Sequence, residues 1–192
     1  MSPRGETTGG LLASRNRIAG AFRSAFDDAD KRLWPAMRIY LESTIPSYLV
    51  ARPARDLLQA ARQQLTRDWW ELKRGQHELF SSQVVLDEVA AGEATMARRR
   101  LKLLRDIPLL ELSAAANRLG RDSLLSGVLP VSADGDAAHI AVATVHRMDI
   151  LLTWNCRHIA NVALQHRLRR LVEGKGFNLP ALATPEEFRG DL

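Results

Sequence analysis

The chain has 192 residues, 46% of them hydrophobic and 26% charged, an ordinary composition for a globular protein long enough to bury a core. No apolar run approaches the ~20 residues that span a bilayer, and the opening MSPRGETTGGLL lacks the continuous apolar segment of a secretory signal. A single cysteine, Cys156, leaves no partner for an intrachain disulfide and suits a reducing cytoplasm, while a net charge of +5 and a pI near 10.0 permit an acidic partner such as nucleic acid without requiring one.

Taken in chain order, residues 1–10 read as disordered, and residues 11–33 as a weakly amphipathic helix carrying Ile18, Phe22 and Phe26 before Pro35 breaks it. Residues 1–36 are therefore expected to be an N-terminal extension, a tail or an upstream-extended reading frame, ahead of a domain over 37–192. The first firm strand covers 37–41 and ends on Glu42, followed by a Ser43-Thr44-Ile45-Pro46 turn. A helix is expected over 53–74, with Leu57, Leu58, Leu65, Trp69 and Leu72 on its apolar face; of Trp69 and Trp70 only one can face the core comfortably. A short strand over 78–81 leads to Ser82, read as the N-cap of a helix through Val85 and Val89 that Gly92 ends. A basic helix then reaches Arg105, a strand covers 107–112, and Ser113 caps a helix ending near Gly127. Further helices over 134–148 and 159–172 flank a buried strand over 150–153, and a last strand over 179–183 precedes a TPEEF turn. Strands alternating with helices predict an α/β fold: a parallel sheet of about four to five strands covered by helices on both faces, in three layers.

In such a sheet ligands bind at the edge where strands end and helices begin. Glu42 ends the first strand there, Asn155 follows the strand over 150–153, and Asp136 opens the helix that feeds that strand. Glu88 lies within two turns of its helix start, beside the sheet-facing Val85 and Val89, and leans toward the same rim. Three carboxylates converging without a partner would repel one another, and a divalent cation removes that conflict. Mg²⁺ takes carboxylate oxygens and water and works with substrate phosphate, which points to phosphodiester chemistry. Each residue also has a plainer reading. Asp134 and Asp136 are natural helix caps, Glu88 a solvent-facing helix residue, Glu42 an acceptor for the STIP backbone and Asn155 an N-cap. His139 reads as a packed, hydrogen-bonded histidine rather than a ligand. His158 and Asn161 read as phosphate contacts or stabilisers of a helix start.

The blocks RIYLESTIPSYL, SSQVVLDEVAAG, DGDAAHIAVA and LLTWNCRHIAN resemble, in order, the four motif blocks of PIN domains, specifically the VapC-like toxin branch, over about residues 37–188. The resemblance implies a Mg²⁺- or Mn²⁺-dependent ribonuclease with a parallel sheet between helices, often a homodimer and inhibited by a cognate antitoxin protein. It places Glu42, Glu88 and Asp136 at the first three family acids, as metal ligands, and Asn155 where a fourth acid is usual. Glu42 replaces the commoner Asp, and Asn155 removes a negative charge, so one ion is expected rather than two. Arg157 and His158 are expected phosphate contacts to RNA. Two rivals stand beside this reading: a catalytically decayed RNA-binding relative, and a structural or interaction protein whose exposed helices bind another protein while the rim acids do little. Separately, Trp70 or Leu57–Leu58 is the expected contact for a dimer mate or an antitoxin segment.

Overall fold

A computed structural model of the protein describes residues 36–189. The expected extension over 1–36, with its helix over 11–33, lies outside the described residues but for Ala36. Five strands, β1 (Arg38–Leu41), β2 (Glu78–Ser82), β3 (Leu109–Leu110), β4 (Ile150–Leu152) and β5 (Ala181–Ala183), form one sheet in the order β3-β2-β1-β4-β5. All four pairings are parallel, with Tyr40 of β1 opposite Phe80 of β2 and Leu151 of β4. The connecting helices are α1 (Thr44–Val50), α2 (Leu57–Leu72), α3 (Gln83–Ala90), α4 (Ala94–Leu104), α5 (Ala114–Leu125), α6 (Asp134–Val145) and α7 (Val162–Glu173).

Strand alternation builds two cores from one sheet. Tyr40, Leu151 and Leu182 pack with Val85 and Val89 of α3, Leu119 of α5, Ile140 of α6, and Leu168 and Val172 of α7. Their neighbours along the strands, Ile39, Leu41, Ile150 and Leu152, pack instead with Ile45 of α1 and Trp69 of α2. The predicted α/β sheet covered on both faces is thus the observed one.

Local chemistry sets most helix starts. Asp56 caps α2 by accepting from the Gln59 N–H at 2.8 Å, and Glu93 caps α4 through the Thr95 and Met96 N–H groups. Ser113 caps α5 as expected, and Asn161 caps α7. Gly92, at φ 88°, takes the left-handed turn that closes α3.

Four segments differ from expectation, each for a physical reason. The STIP segment is not a turn but the start of α1, because Pro46 falls in the first helical turn, where its missing N–H would have no intrahelical acceptor. The strand expected over 107–112 shortens to Leu109–Leu110 at the sheet edge beside Pro108, which has no N–H to donate. Leu57, Leu58 and Leu72 remain 87%, 61% and 59% exposed, so the apolar face of α2 is buried only around Leu65 and Trp69. Ser82 stands at the N-cap position of α3 without capping it, and its hydroxyl turns to Tyr40 instead. Of the tryptophan pair, Trp69 is buried and Trp70 half-buried against the same core, with the Arg74 guanidinium 4.5 Å from its ring centre. Among the described residues no helix is long and apolar enough to cross a membrane.

Candidate active site

Glu42 extends β1 by one residue, its N–H donating to the Leu152 carbonyl of β4 at 3.1 Å. That places it at the rim, only 3% exposed. An ionised carboxylate this deep needs donors, and the following residues supply them. Its Oε1 accepts from the Ser43 hydroxyl at 2.7 Å. Its Oε2 accepts from the Thr44 N–H at 3.1 Å, the Thr153 hydroxyl at 2.7 Å and the Thr44 hydroxyl. Thr44 also accepts the Trp154 N–H at 2.8 Å and Thr153 the Asn155 N–H at 2.8 Å, so the same hydroxyls lock the loop after β4 onto the loop after β1. The partner that Glu42 requires is therefore in large part hydroxyl, while Oε1, with a single donor, keeps acceptor capacity to spare.

Glu88 on α3 meets His139 on α6, with Oε2 3.1 Å from Nε2. His139 is 1% exposed, and its Nδ1 lies 2.8 Å from the Tyr40 hydroxyl, which in turn lies 2.7 Å from Ser82 Oγ. Glu42, Glu88 and His139 each offer a ligand atom, and these three atoms lie within 4.8 Å of one another. Both ring nitrogens of His139 are engaged, by Glu88 and Tyr40, which leaves the two carboxylates as the oxygen donors that suit a divalent cation.

Burial pushes the Glu88 carboxyl up, but the hydrogen bond and charge of His139 outweigh it and hold the group below its ordinary 4.5. Burial likewise opposes a charged His139, yet the Glu88 hydrogen bond and the negative charges of Glu42, Glu88 and Asp136 lift it above 6.5. A depressed acid stabilises the fold above its unfolded value and loses that contribution as pH falls through its folded value. A raised histidine stabilises below its unfolded value and loses it as pH rises through its folded value. The pair therefore contributes most between pH 4.5 and 6.5 in metal-free protein. The stability difference between wild type and His139→Gln, from urea denaturation across pH, is expected to peak in that window and narrow on both sides.

Asp136 opens a neighbouring cluster. Its Oδ1 accepts from Asn155 Nδ2 at 2.7 Å and its Oδ2 lies 2.7 Å from His158 Nδ1. Asn155 Oδ1 accepts the N–H groups of Arg157 and His158 at 3.2 and 3.1 Å, closing the turn that presents His158 to Asp136. Asp136 does not cap α6, which has no side-chain cap. The two clusters adjoin through Gly135, where a Cβ would lie 3.0 Å from Glu88 Oε1. Gly135→Ala is thus expected to displace the Glu88 carboxylate by a few tenths of an ångström while raising helix propensity by about 0.5–1 kcal/mol. Stability in urea should hold or rise as metal affinity falls.

The structure brings Glu42 and Glu88 together beside His139, while Asp136, the third acid expected from the sequence, opens the adjoining cluster. Asp136 and Asn155 meet each other and His158 beside them. Arg157 is exposed next to this group, while His158 spends one ring nitrogen on Asp136. Arg100 leaves the basic run to bond the Val89 and Ala91 carbonyls at 2.9 and 2.6 Å, closing the end of α3.

No family model and no curated protein matches the chain. Among solved structures it is similar to a chain in the crystal structure of VapBC2 from Rickettsia felis bound to a DNA fragment from their promoter. The identity is 17% and the TM-score 0.48, over 63% of this chain and 90% of that one.

Proposed function

We propose that residues 37–192 are a PIN-like, VapC-like nuclease domain that hydrolyses RNA phosphodiester bonds with Mg²⁺ or Mn²⁺, as the toxin of a toxin–antitoxin pair. The observation that carries this reading is the meeting of Glu42 and Glu88 within 4.8 Å at one rim of a parallel sheet, with the Asp136–Asn155–His158 cluster adjoining. Glu42 and Glu88 hold the ion, and Asp136 joins them directly or through water. When bound, the ion supplies Lewis acidity at the phosphoryl oxygen and a more acidic water.

The chain's own groups do the rest. Asp136, held at both oxygens by Asn155 and His158, has a fixed direction in which to take a proton from the attacking water. Asn155 spends its amide on that orientation and its carbonyl on the turn, so its role is to aim Asp136. Arg157, exposed beside the Asp136–Asn155–His158 group, is the side chain that would contact an RNA phosphate, supplying affinity rather than base readout. The partners of this reading are an RNA substrate, an antitoxin protein and a second copy of the chain; the exposed Leu57 and Leu58 are the apolar surface it offers to the last two.

Asp136→Ala in an RNA cleavage assay with Mg²⁺ is expected to lose about 10–100-fold or more, since even groups that only orient a ligand are worth that much. Undiminished cleavage with the fold intact refutes the assignment. The engagement of Asp136 by an amide rather than a fourth acid favours one alternative, RNA binding without cleavage. It predicts salt-sensitive RNA binding with no product in any divalent metal.

A further inference from the structure

Ser82, Tyr40 and His139 form a buried hydrogen-bonded chain within an otherwise apolar core. Three elements contribute to it: Ser82 ends β2, Tyr40 lies in β1 and His139 in α6, and all three are at most 1% exposed. Its one outlet is Glu88, whose side chain is 38% exposed.

The proton positions follow from the acceptor and donor inventory. An ionised carboxylate only accepts, so the 3.1 Å contact between His139 Nε2 and Glu88 Oε2 requires a proton on Nε2. In the neutral ring Nδ1 then accepts from the Tyr40 hydroxyl, whose oxygen accepts from Ser82. In the imidazolium the two outer bonds reverse: Nδ1–H donates to Tyr40, and Tyr40 donates to Ser82. Nε2 carries its proton in both states and has no lone pair to give.

We propose that His139 is a positioning residue, held by the Tyr40–Ser82 relay, that donates its Nε2–H to Glu88 Oε2, fixes the direction of that carboxylate and stays out of the ion's ligand shell. The consequence is selectivity. With the imidazole nitrogen spent on Glu88, the protein ligands are oxygens, which favours Mg²⁺ and Mn²⁺ over the nitrogen-seeking Zn²⁺. The ion's part rests on the nuclease reading, whereas the relay rests on the hydrogen-bond geometry alone.

Two measurements on the full chain test it. In ¹⁵N-labelled, metal-free protein, the His139 ring should show a protonated Nε2 across the accessible pH range, and an unprotonated Nε2 overturns the proposal. With Mn²⁺ as probe, electron spin-echo spectra should show no directly coordinated ¹⁴N, and Tyr40→Phe should weaken Mn²⁺ binding by about 10–100-fold. Ser82→Ala, which cuts only the far link, should weaken it less, and His139→Gln, whose amide can still donate to Glu88, should retain more affinity than His139→Ala. Circular dichroism checks that each variant folds, and Ser82→Ala carries the test should Tyr40→Phe unfold. A coordinated ¹⁴N, or wild-type affinity in folded Tyr40→Phe and Ser82→Ala, overturns the relay. Wild-type protein that takes up no Mn²⁺ overturns the nuclease reading, while the metal-free spectrum still decides the proton on Nε2.

Discussion

Glu42→Gln is expected to abolish metal-dependent RNA cleavage, by more than the ~100-fold that marks the upper end for groups that merely orient a ligand, while leaving a folded protein. The side chain keeps its length and its place at the end of β1. It loses the negative charge and one acceptor. Glu42 gathers four donors, from Ser43, Thr44 twice and Thr153. A carboxamide oxygen can serve only some of them, and its NH₂ faces hydroxyls that must turn to accept. Leaving such buried donors short costs about 1–3 kcal/mol, readable in a urea titration. Mn²⁺ should raise the melting temperature of wild type, as any ligand of the native state does, and should raise that of Glu42→Gln little or not at all. Equal shifts in both proteins would mean that the ion sits elsewhere.

Asn155→Asp has the second large effect, with opposite signs in the two metal states. The amide donates to Asp136 Oδ1 across 2.7 Å, so a carboxylate there would set two acceptors face to face. Like charges at such a distance force one group to keep its proton. Metal-free Asn155→Asp should be less stable than wild type by about 1–3 kcal/mol, the cost of replacing a partly buried hydrogen bond by a conflict. The turn survives, because Asp can still accept from Arg157 and His158. Added Mn²⁺ should recover the loss and produce a larger rise in melting temperature than in wild type, since the added charge strengthens the rim's hold on a cation. If metal-free stability stays at the wild-type level, the amide of Asn155 is not what holds Asp136.

The sheet and its rim were legible because the central parallel strands, buried on both faces, write continuous apolar runs, and IYL and ILL each stand between polar breaks. From the succession of strands and helices alone, Glu42, Glu88, Asp136 and Asn155 could be set at one edge. What was not legible is instructive. Pro46 signals a break only inside a helix, and nothing in STIP distinguishes a turn from a first helical turn until Ile45 is seen to be buried. The donors around Glu42 stood in plain view as Ser43, Thr44 and Thr153, yet hydroxyls next to an acid read equally well as loop polarity. His139 lay on the apolar face of a buried helix, where a satisfied core histidine is the ordinary outcome. The missed signal was Tyr40: a tyrosine pointing into a core needs a partner for its hydroxyl, and the partners at hand were Ser82 and His139. The exposure of Leu57 and Leu58 could not be read either, since helical spacing marks a face without saying whether anything covers it.

Isothermal titration of Mn²⁺ into the full chain, set beside the same titration of Glu42→Gln, bears most directly on the central claim that Glu42 and Glu88 share a cation. One ion per wild-type chain and no saturable binding to the variant is the predicted result. Absence of binding to wild type, or undiminished binding to Glu42→Gln, would contradict it.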